Sequence, residues 1–364
     1  MKNEKLNVTP LSKSLLKEVE VKASRKSKIN DFIRNPFGQF FVLCLALFVI
    51  SYLSKAKVLP VTMIDGITTT VIYAIISIGF CLLLGYSGLA SLGTAGFAGL
   101  GVYAGYYVFT KLGLSYISAL IFAIVLAAVI GIVVGFISLR IEGMYLAILT
   151  LGLAEILFQV FKNITFMFQI PRKEVTFFFM KVGDIGLIAI VLVMFLILLI
   201  LTHNLINSPT GRAMLAMKNS TSASQAMGIS LMKYRLFAFV MSTIYASIGG
   251  LLYIMYSKSM MTSGSTFLAL SMSLNILGAV IVGGSKSLLG TSFGALIIFG
   301  LQTILFVNVD FFQNHPEFIG LVTGVLIILV VMFYPGGAAQ LFTEIKTKIK
   351  GLIKKLKEKK YGSY

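Results

Sequence analysis

Long apolar runs separated by short polar breaks dominate this sequence, and they recur at the length that crosses a bilayer. A membrane-spanning helix needs about 17–25 mostly apolar residues to cross about 30 Å of hydrocarbon at about 1.5 Å per residue. The pattern predicts ten such spans, at 37–53, 62–84, 88–109, 115–139, 144–161, 183–202, 234–256, 266–283, 288–307 and 317–334. An even number puts both ends of the chain on one side of the membrane. One connection stands apart: residues 204–233, between the sixth and seventh spans, form a polar stretch long enough to carry structure of its own.

Within that stretch, Ser208 and Pro209 make a helix-start pair, with Ser as N-cap and Pro at the first helical position. A short helix from about Ser220 to Met227 is then expected to stop at Gly228, the residue suited to a left-handed conformation after a helix end. Ala223 and Ala226 give this helix a small face that can enter a groove, and Met227 gives it an adaptable apolar knob. On these residues alone, an ordinary connector and a docking helix both remain open.

Glycine is the second organising signal. Many of the 34 glycines fall in two stretches, Gly85 to Gly105 and Gly278 to Gly300. Small residues on a membrane helix let backbones approach closely, which is one reading of both stretches. The first is dense enough in Gly for a broken or re-entrant helix, a conformation tolerated at membrane depth only where it lines a cavity or is buried in protein. The spans also allow an inverted repeat, with spans 2–5 and 7–10 as two four-helix units of opposite orientation and a pathway near their interface.

Composition agrees with the pattern. Hydrophobic residues make up 57% of the chain and charged residues 12%, against about 25% charged in a soluble domain. A mean hydropathy of +0.94 leaves too little polar surface to cover a water-soluble core of this size. The net charge of +18 is concentrated at the ends, with nine of 31 Lys and Arg in residues 1–34 and eight in residues 346–360. The two tails therefore set the orientation, cytoplasmic for both termini, by the positive-inside rule. Without the tails the tally is 6 inside against 8 outside, so the short loops do not decide it. Residues 1–36 read as a basic cytoplasmic segment, too charged for a signal peptide. Residues 335–364 read as a basic amphipathic tail, with Ile345, Ile349, Leu352, Ile353 and Leu356 on one helical face, suited to lying against anionic lipid headgroups. Nucleic acid is not an expected partner, because no aromatic residues interleave these basic runs.

Groups able to do chemistry are sparse. His203 and His315 lie at span ends, and the sequence contains neither a Ser, His and Asp constellation nor an HExxH motif. The GGSKS run at Gly283–Ser287 lacks the GxxxxGK[ST] spacing of a phosphate loop. Cys44 and Cys81 sit inside apolar spans and read as small buried hydrophobes. Charges at membrane depth are functional candidates because their burial is costly. Glu155 is the clearest, near mid-span, and a structural role inside the bundle is the leading reading, with substrate contact the alternative. Arg140 and Glu142 pair naturally at a span end, and Asp65 is expected to be solvated at the outer surface. A single intramembrane carboxylate is thin material for the proton relay of an ion-coupled transporter. The chain is not expected to be an enzyme.

Four segments, in order, resemble the M-type permease subunits of bacterial branched-chain amino-acid ABC importers. They are GYSGLASLGTAGFAGLGVYAG from Gly85, RIEGMYLAILTLGLAEI from Arg140, TGRAMLAMKNSTSASQAMGISLMKYRLFAFVMSTIYASIGGLLY from Thr210, and LGAVIVGGSKSLLGTSFGAL from Leu277, followed by FYPGG at Phe333–Gly337. The resemblance implies an all-α integral membrane permease in the bacterial cell (inner) membrane. It also implies a binding protein that delivers substrate, a second permease subunit, and cytoplasmic ATPases that use the ATP, with no cofactor on this chain. Urea and short-amide importers share this permease type, and nucleoside and sugar importers use a more distant version. The third segment resembles the family's ATPase-coupling loop, which carries over to Gly211, Arg212, Ala223, Gln225, Ala226, Met227, Gly228 and Ile229. Where relatives usually have acidic residues in this loop, the chain has Asn219, Ser220, Thr221, Ser222 and Gln225. From the first two segments, Gly88, Ser91, Gly93, Thr94, Tyr145, Thr150 and Glu155 are the candidate lining of a substrate path, with Thr94 standing where relatives often carry His or Gln.

Overall fold

Apolar helices in lipid gain nothing hydrophobic by meeting one another, so they associate through close packing and interhelical hydrogen bonds. Where the small residues of this chain lie therefore decides which helices touch. The structure is a computed structural model. It describes residues 36–344, apart from 56–61, 140–143, 171–175, 178–179, 182–183, 263–264, 306–308, 341–343 and the single positions 316, 335 and 339. The basic N-terminal segment, the amphipathic tail face at Ile345–Leu356, and the pair Arg140 and Glu142 lie outside the described residues.

The described chain is all-α but for four very short strands. In order it forms α1 (Pro36–Lys55), α2 (Thr62–Cys81, continued by a π-helical turn Leu82–Ser87), α3 (Thr94–Tyr107, continued by a π-helical turn Val108–Leu112), α4 (Tyr116–Ser138) and α5 (Met144–Ile164). Then come β1 (Met167–Gln169), β2 (Thr176–Phe177), β3 (Met180–Lys181), α6 (Asp184–Asn207), α7 (Pro209–Asn219), α8 (Thr221–Ala226) and α9 (Leu231–Ser257). The chain finishes with β4 (Ser259–Met261), α10 (Leu270–Gly283), α11 (Leu288–Ala295, continued by a π-helical run Leu296–Leu305), α12 (Asp310–Asn314) and α13 (Glu317–Phe333). β1 pairs antiparallel with β4, setting Phe168 opposite Met260, and β2 pairs antiparallel with β3.

Five helices among the described residues are long and apolar enough to cross a membrane: Met63–Ser87, Tyr116–Ser138, Tyr145–Ile164, Gly186–Asn207 and Leu231–Ser257. Shorter apolar helices cover Pro36–Ser51, Leu270–Gly283, Leu288–Thr303 and Phe318–Val330. Two expected starts move. The third span was expected from position 88, yet α3 begins at Thr94, because Gly88 takes a left-handed conformation (φ 75°) that ends the preceding helix. The eighth, expected from position 266, begins at Leu270, with Phe267 and Leu268 buried in the turns before it. The sixth runs on to Asn207 rather than ending at 202.

α9 is the spine of the bundle, with its most extensive contacts on α3, α4 and α2. The approach is backbone to backbone. A Cβ on Gly101 of α3 would lie 1.8 Å from the Ser247 carbonyl oxygen, and a Cβ on Gly250 of α9 would lie 1.8 Å from that of Ala98. Interhelical bonds complete the seams: Ser247 Oγ donates to the Ala123 carbonyl at 3.1 Å, and the Thr202 and Tyr245 hydroxyls pair at 2.7 Å. The second glycine stretch does the same for α10 and α11, where a Cβ on Gly294 would lie 2.1 Å from the Ala279 carbonyl oxygen. Both cysteines are buried, as expected of small apolar residues.

Replacing Gly250 by Val is expected to destabilise the bundle by at least about 3 kcal/mol, since the clash is with backbone and neither helix can yield cheaply. Gly320→Ala in α13, where nothing lies within 4 Å of the added carbon, is expected to leave stability unchanged or raise it by up to about 1 kcal/mol. Thermal unfolding of both variants in detergent, followed by size-exclusion profile, checks the pair.

Candidate functional site

The polar connection after α6 folds into two helices set by local chemistry. Ser208 caps α7, its Oγ accepting from the Gly211 amide at 3.3 Å, with Pro209 at the first helical position. Gly211 is held against the end of α6: a Cβ there would lie 2.2 Å from the Ile206 carbonyl oxygen. Arg212 is exposed and its Nη1 donates to the Asn207 carbonyl at 2.9 Å, stitching the α6–α7 corner. Gly211, Met214 and Met217 are buried, so α7 lies with one face on the bundle.

A second cap follows at once. Ser220 closes α7 through its amide, which donates to the Ala216 carbonyl at 3.0 Å, and opens α8 through its Oγ, which accepts from the Ala223 amide at 3.3 Å. The expected helix from Ser220 to Met227 is thus observed as Thr221–Ala226. Ser224 faces inward, whereas Ala223, Gln225, Ala226, Met227 and Gly228 are exposed, Met227 at 83%. Gly228 has φ 79° and nothing within 4 Å of an added Cβ, so backbone conformation, not space, calls for glycine there. Its amide donates to the Gln225 carbonyl and that of half-buried Ile229 to the Ser224 carbonyl, both at 2.9 Å, which satisfies the helix end. Beside this end lies an open groove of about 500 Å³ lined in part by Gln225, Gly228, Ile229 and Met232.

The glycine-rich segment combines both expected features. Residues 88–93 are irregular, while α3 is continuous from Thr94 and packs tightly. The freed amides of the break and of the first turn of α3 find side-chain partners. Leu92 donates to Thr150 Oγ1 at 3.0 Å, Gly93 to Ser91 Oγ at 3.3 Å and Ala95 to Ser273 Oγ at 3.0 Å. Gly93 is pressed on α5, where a Cβ would lie 3.1 Å from the Thr150 carbonyl oxygen. The fold therefore gathers Ser91, Gly93, Thr94 and Thr150 into one buried cluster, with exposed Gly88 at its edge.

Tyr145 and Glu155 do not join that cluster. They lie on the exposed face of α5 with Ile148 and Gln159, and an added Cβ on Gly152 meets nothing within 4 Å. Among the described residues, Glu155 therefore bonds to nothing inside the bundle, in contrast to the structural role there that led the reading of the sequence. The spacing of four residues instead lets its Oε1 accept from Gln159 Nε2 on the same helix at 2.9 Å. Asp65 is exposed as expected, and its carboxylate accepts a hydrogen bond from the Tyr256 hydroxyl.

Lys218, which the sequence reading passed over, joins the two regions. Its Nζ donates to the carbonyls of Leu84 at 3.1 Å and Gly85 at 2.8 Å, the last turn of the helix that Gly88 ends. Its stem packs on Gly88, where a Cβ would lie 3.1 Å from Lys218 Cγ. Burial, and next the neighbouring Lys286 ammonium, push the Lys218 pKa below the ordinary lysine range. The same corner holds the 283–287 run. Gly85 abuts the Ser285 carbonyl, Tyr86 donates to the Lys286 carbonyl at 3.0 Å, and a cavity of about 580 Å³ opens between Gly88, Lys218, Gly284 and Lys286. The sequence did carry a signal. Gly211, Met214 and Lys218 recur at helical spacing on the buried face of α7, so the lysine had to reach a polar partner there.

Residues 62–331 match the family described as the permease component of branched-chain amino acid transport systems. The chain is 28% identical over 303 residues to the high-affinity branched-chain amino acid transport system permease protein LivM of Escherichia coli, covering 75% of this chain and 69% of that protein. It is 27% identical over 303 residues, with the same coverage, to LivM of Salmonella typhimurium. Over 220 residues it is 28% identical to a probable ABC transporter permease protein, y4mJ, of Sinorhizobium fredii, covering 57% of this chain and 64% of that one. The matched region runs from the start of α2 almost to the end of α13 and so contains both the capped helices and the glycine-rich break; the chain belongs to the permease-component family of branched-chain amino acid transport systems.

Proposed function

We propose that this multi-pass chain imports branched-chain or related apolar amino acids as one permease of an ABC importer, and that α8 is the helix on which a cytoplasmic ATPase docks. The single observation that carries the docking is α8 itself: a doubly capped short helix that presents Ala223, Gln225, Ala226 and Met227 to solvent while its base is fixed to the bundle. ATP is bound and hydrolysed by the partner subunits, an external binding protein delivers the substrate, and Gly211 and Arg212 hold the corner that fixes the base of α8. The loop carries no carboxylate between Asn204 and Lys233, and residues 220–230 carry no charged side chain at all, so the dock on α8 depends on shape and apolar contact rather than on ion pairing. The topology in this reading is ten spans with both termini cytoplasmic, an inverted repeat of spans 2–5 and 7–10, and terminal basic segments that hold anionic lipid.

The exposed face of α5 supports a place for the second permease and for the path. Tyr145, Ile148, Gly152, Glu155 and Gln159 recur at alternating spacings of three and four, one stripe along a helix. A carboxylate turned to lipid at mid-span costs about 2.5–3.5 kcal/mol on insertion scales, so this face belongs against protein or a water-filled passage. Gly152 lets a partner backbone come close. Glu155 there meets substrate at its ammonium end, whereas Ser91, Gly93, Thr94 and Thr150 hold the break beside the path rather than reach into it.

Two outcomes test this reading. Gly228→Pro, which removes the amide hydrogen bond to Gln225 and forbids φ 79°, and Ala223→Trp, which fills the small face, should each abolish ATP-driven uptake and reduce ATPase copurification at unchanged membrane level. Unchanged uptake in both would refute the docking role, and uptake by this chain alone that collapses with an ionophore would indicate an ion-coupled carrier instead. Glu155→Gln should lower uptake by about tenfold or more, the scale of one lost charged contact, while protein level stays within about twofold. Parallel losses of uptake and protein would mark the residue as structural.

A further inference from the structure

Lys218 lies at the meeting of two devices described above, the docking helix and the glycine-rich break. α7 and α8 share Ser220 as the cap of both, so the two short helices are joined without a flexible residue between them. From α7, Lys218 reaches the Leu84 and Gly85 carbonyls at 3.1 and 2.8 Å. Those carbonyls belong to the π-helical turn Leu82–Ser87, at a helix end where carbonyls lack intrahelical donors and the dipole is negative. An ammonium there is held by charge as well as by two hydrogen bonds, and the half-buried setting limits competition from water. Beyond Gly88, the break is tied by Thr150 to α5, and the first turn of α3, into which it opens, is tied at Ala95 by Ser273 to α10.

We infer that Lys218 is a positioning residue for transport: it fastens the docking helices to the end of α2, so that ATPase movement is delivered to the break at Gly88–Gly93 and through it to α5 and, by way of the start of α3, to α10. This rests on the reading of α8 as the ATPase dock. The contact differs from an ordinary helix cap in what it joins. A cap satisfies carbonyls of its own helix or corner, whereas Lys218 spans more than 130 positions of sequence and connects the segment that moves with the ATPase to the irregular stretch that Thr150 holds on α5 and that opens into α3.

The test uses the full complex in proteoliposomes, with the second permease, both ATPases and the binding protein, and reads three quantities: ATPase retained, ATP hydrolysed, and substrate taken up per ATP. Lys218→Met keeps the stem that packs on Gly88 but loses both bonds. It should retain the ATPase and hydrolyse ATP within about twofold of wild type, while uptake per ATP falls about tenfold or more. Lys218→Arg, which keeps charge and donors, should restore most of that ratio, and Lys286→Met, at an exposed neighbouring position, should leave it unchanged. Wild-type uptake per ATP in Lys218→Met would overturn the proposal. So would loss of that variant from the membrane, which would make the contact a folding element, or loss of the ATPase from it, which would make it part of the dock. Failure of the docking reading itself shows separately, as Ala223→Trp retaining both ATPase and uptake.

Discussion

Backbone contact between α3 and α9 is the constraint on which the rest of the structure hangs. Where Gly101 faces Ser247 and Gly250 faces Ala98, the two helices approach so closely that a single methyl group would overlap a carbonyl oxygen. In lipid this closeness is the source of cohesion, because dispersion and short interhelical bonds replace the hydrophobic drive that water would supply. α4 and α2 join the same spine through Ser247, Thr243, Gly79 and Gly131. With α9 fixed in this way, its N-terminal end fixes where the α7–α8 connection leaves the bundle.

That anchoring explains how a short polar connection can hold a defined shape. α8 is far too short to be stable alone. It persists because Ser220 and the left-handed Gly228 satisfy its ends, while α7 lies on buried methionines and on a lysine bonded to another helix. Among the described residues, none covers the outer surface of α8. A rigid base under an exposed small face is what a partner needs if its motion is to be passed on rather than absorbed.

The glycine-rich break shows the complementary behaviour. Its amides are satisfied by hydroxyls, Ser91 within it and Thr150 on α5, and Ser273 on α10 does the same for Ala95 in the first turn of α3. Hydroxyl bonds can be exchanged more readily than a helical ladder, so an irregular stretch held this way suits a place where two packings of the bundle differ. The polar stripe of α5, with Glu155 and Gln159 facing outward, gives that change something to act on, because a carboxylate on a lipid-facing surface is costly and a partner or passage relieves the cost.

Much of this was legible in the chain. The apolar runs gave where the apolar helices lie, with ends displaced by up to about six residues, and Ser208, Pro209, Ser220 and Gly228 gave the capped connection, because caps and left-handed glycines act within one or two turns and need no tertiary partner. The four ordered segments gave the family. What only the tertiary structure decided is which residues meet: that Thr150 holds the break rather than lining an open face, that Glu155 points away from its own bundle, and that Lys218 reaches across to α2. The sequence marks a face by its period, but the direction of that face follows from which helices come close, and here this depends on glycine contacts between segments more than a hundred residues apart. Local chemistry determined the elements, and long-range backbone packing determined their use.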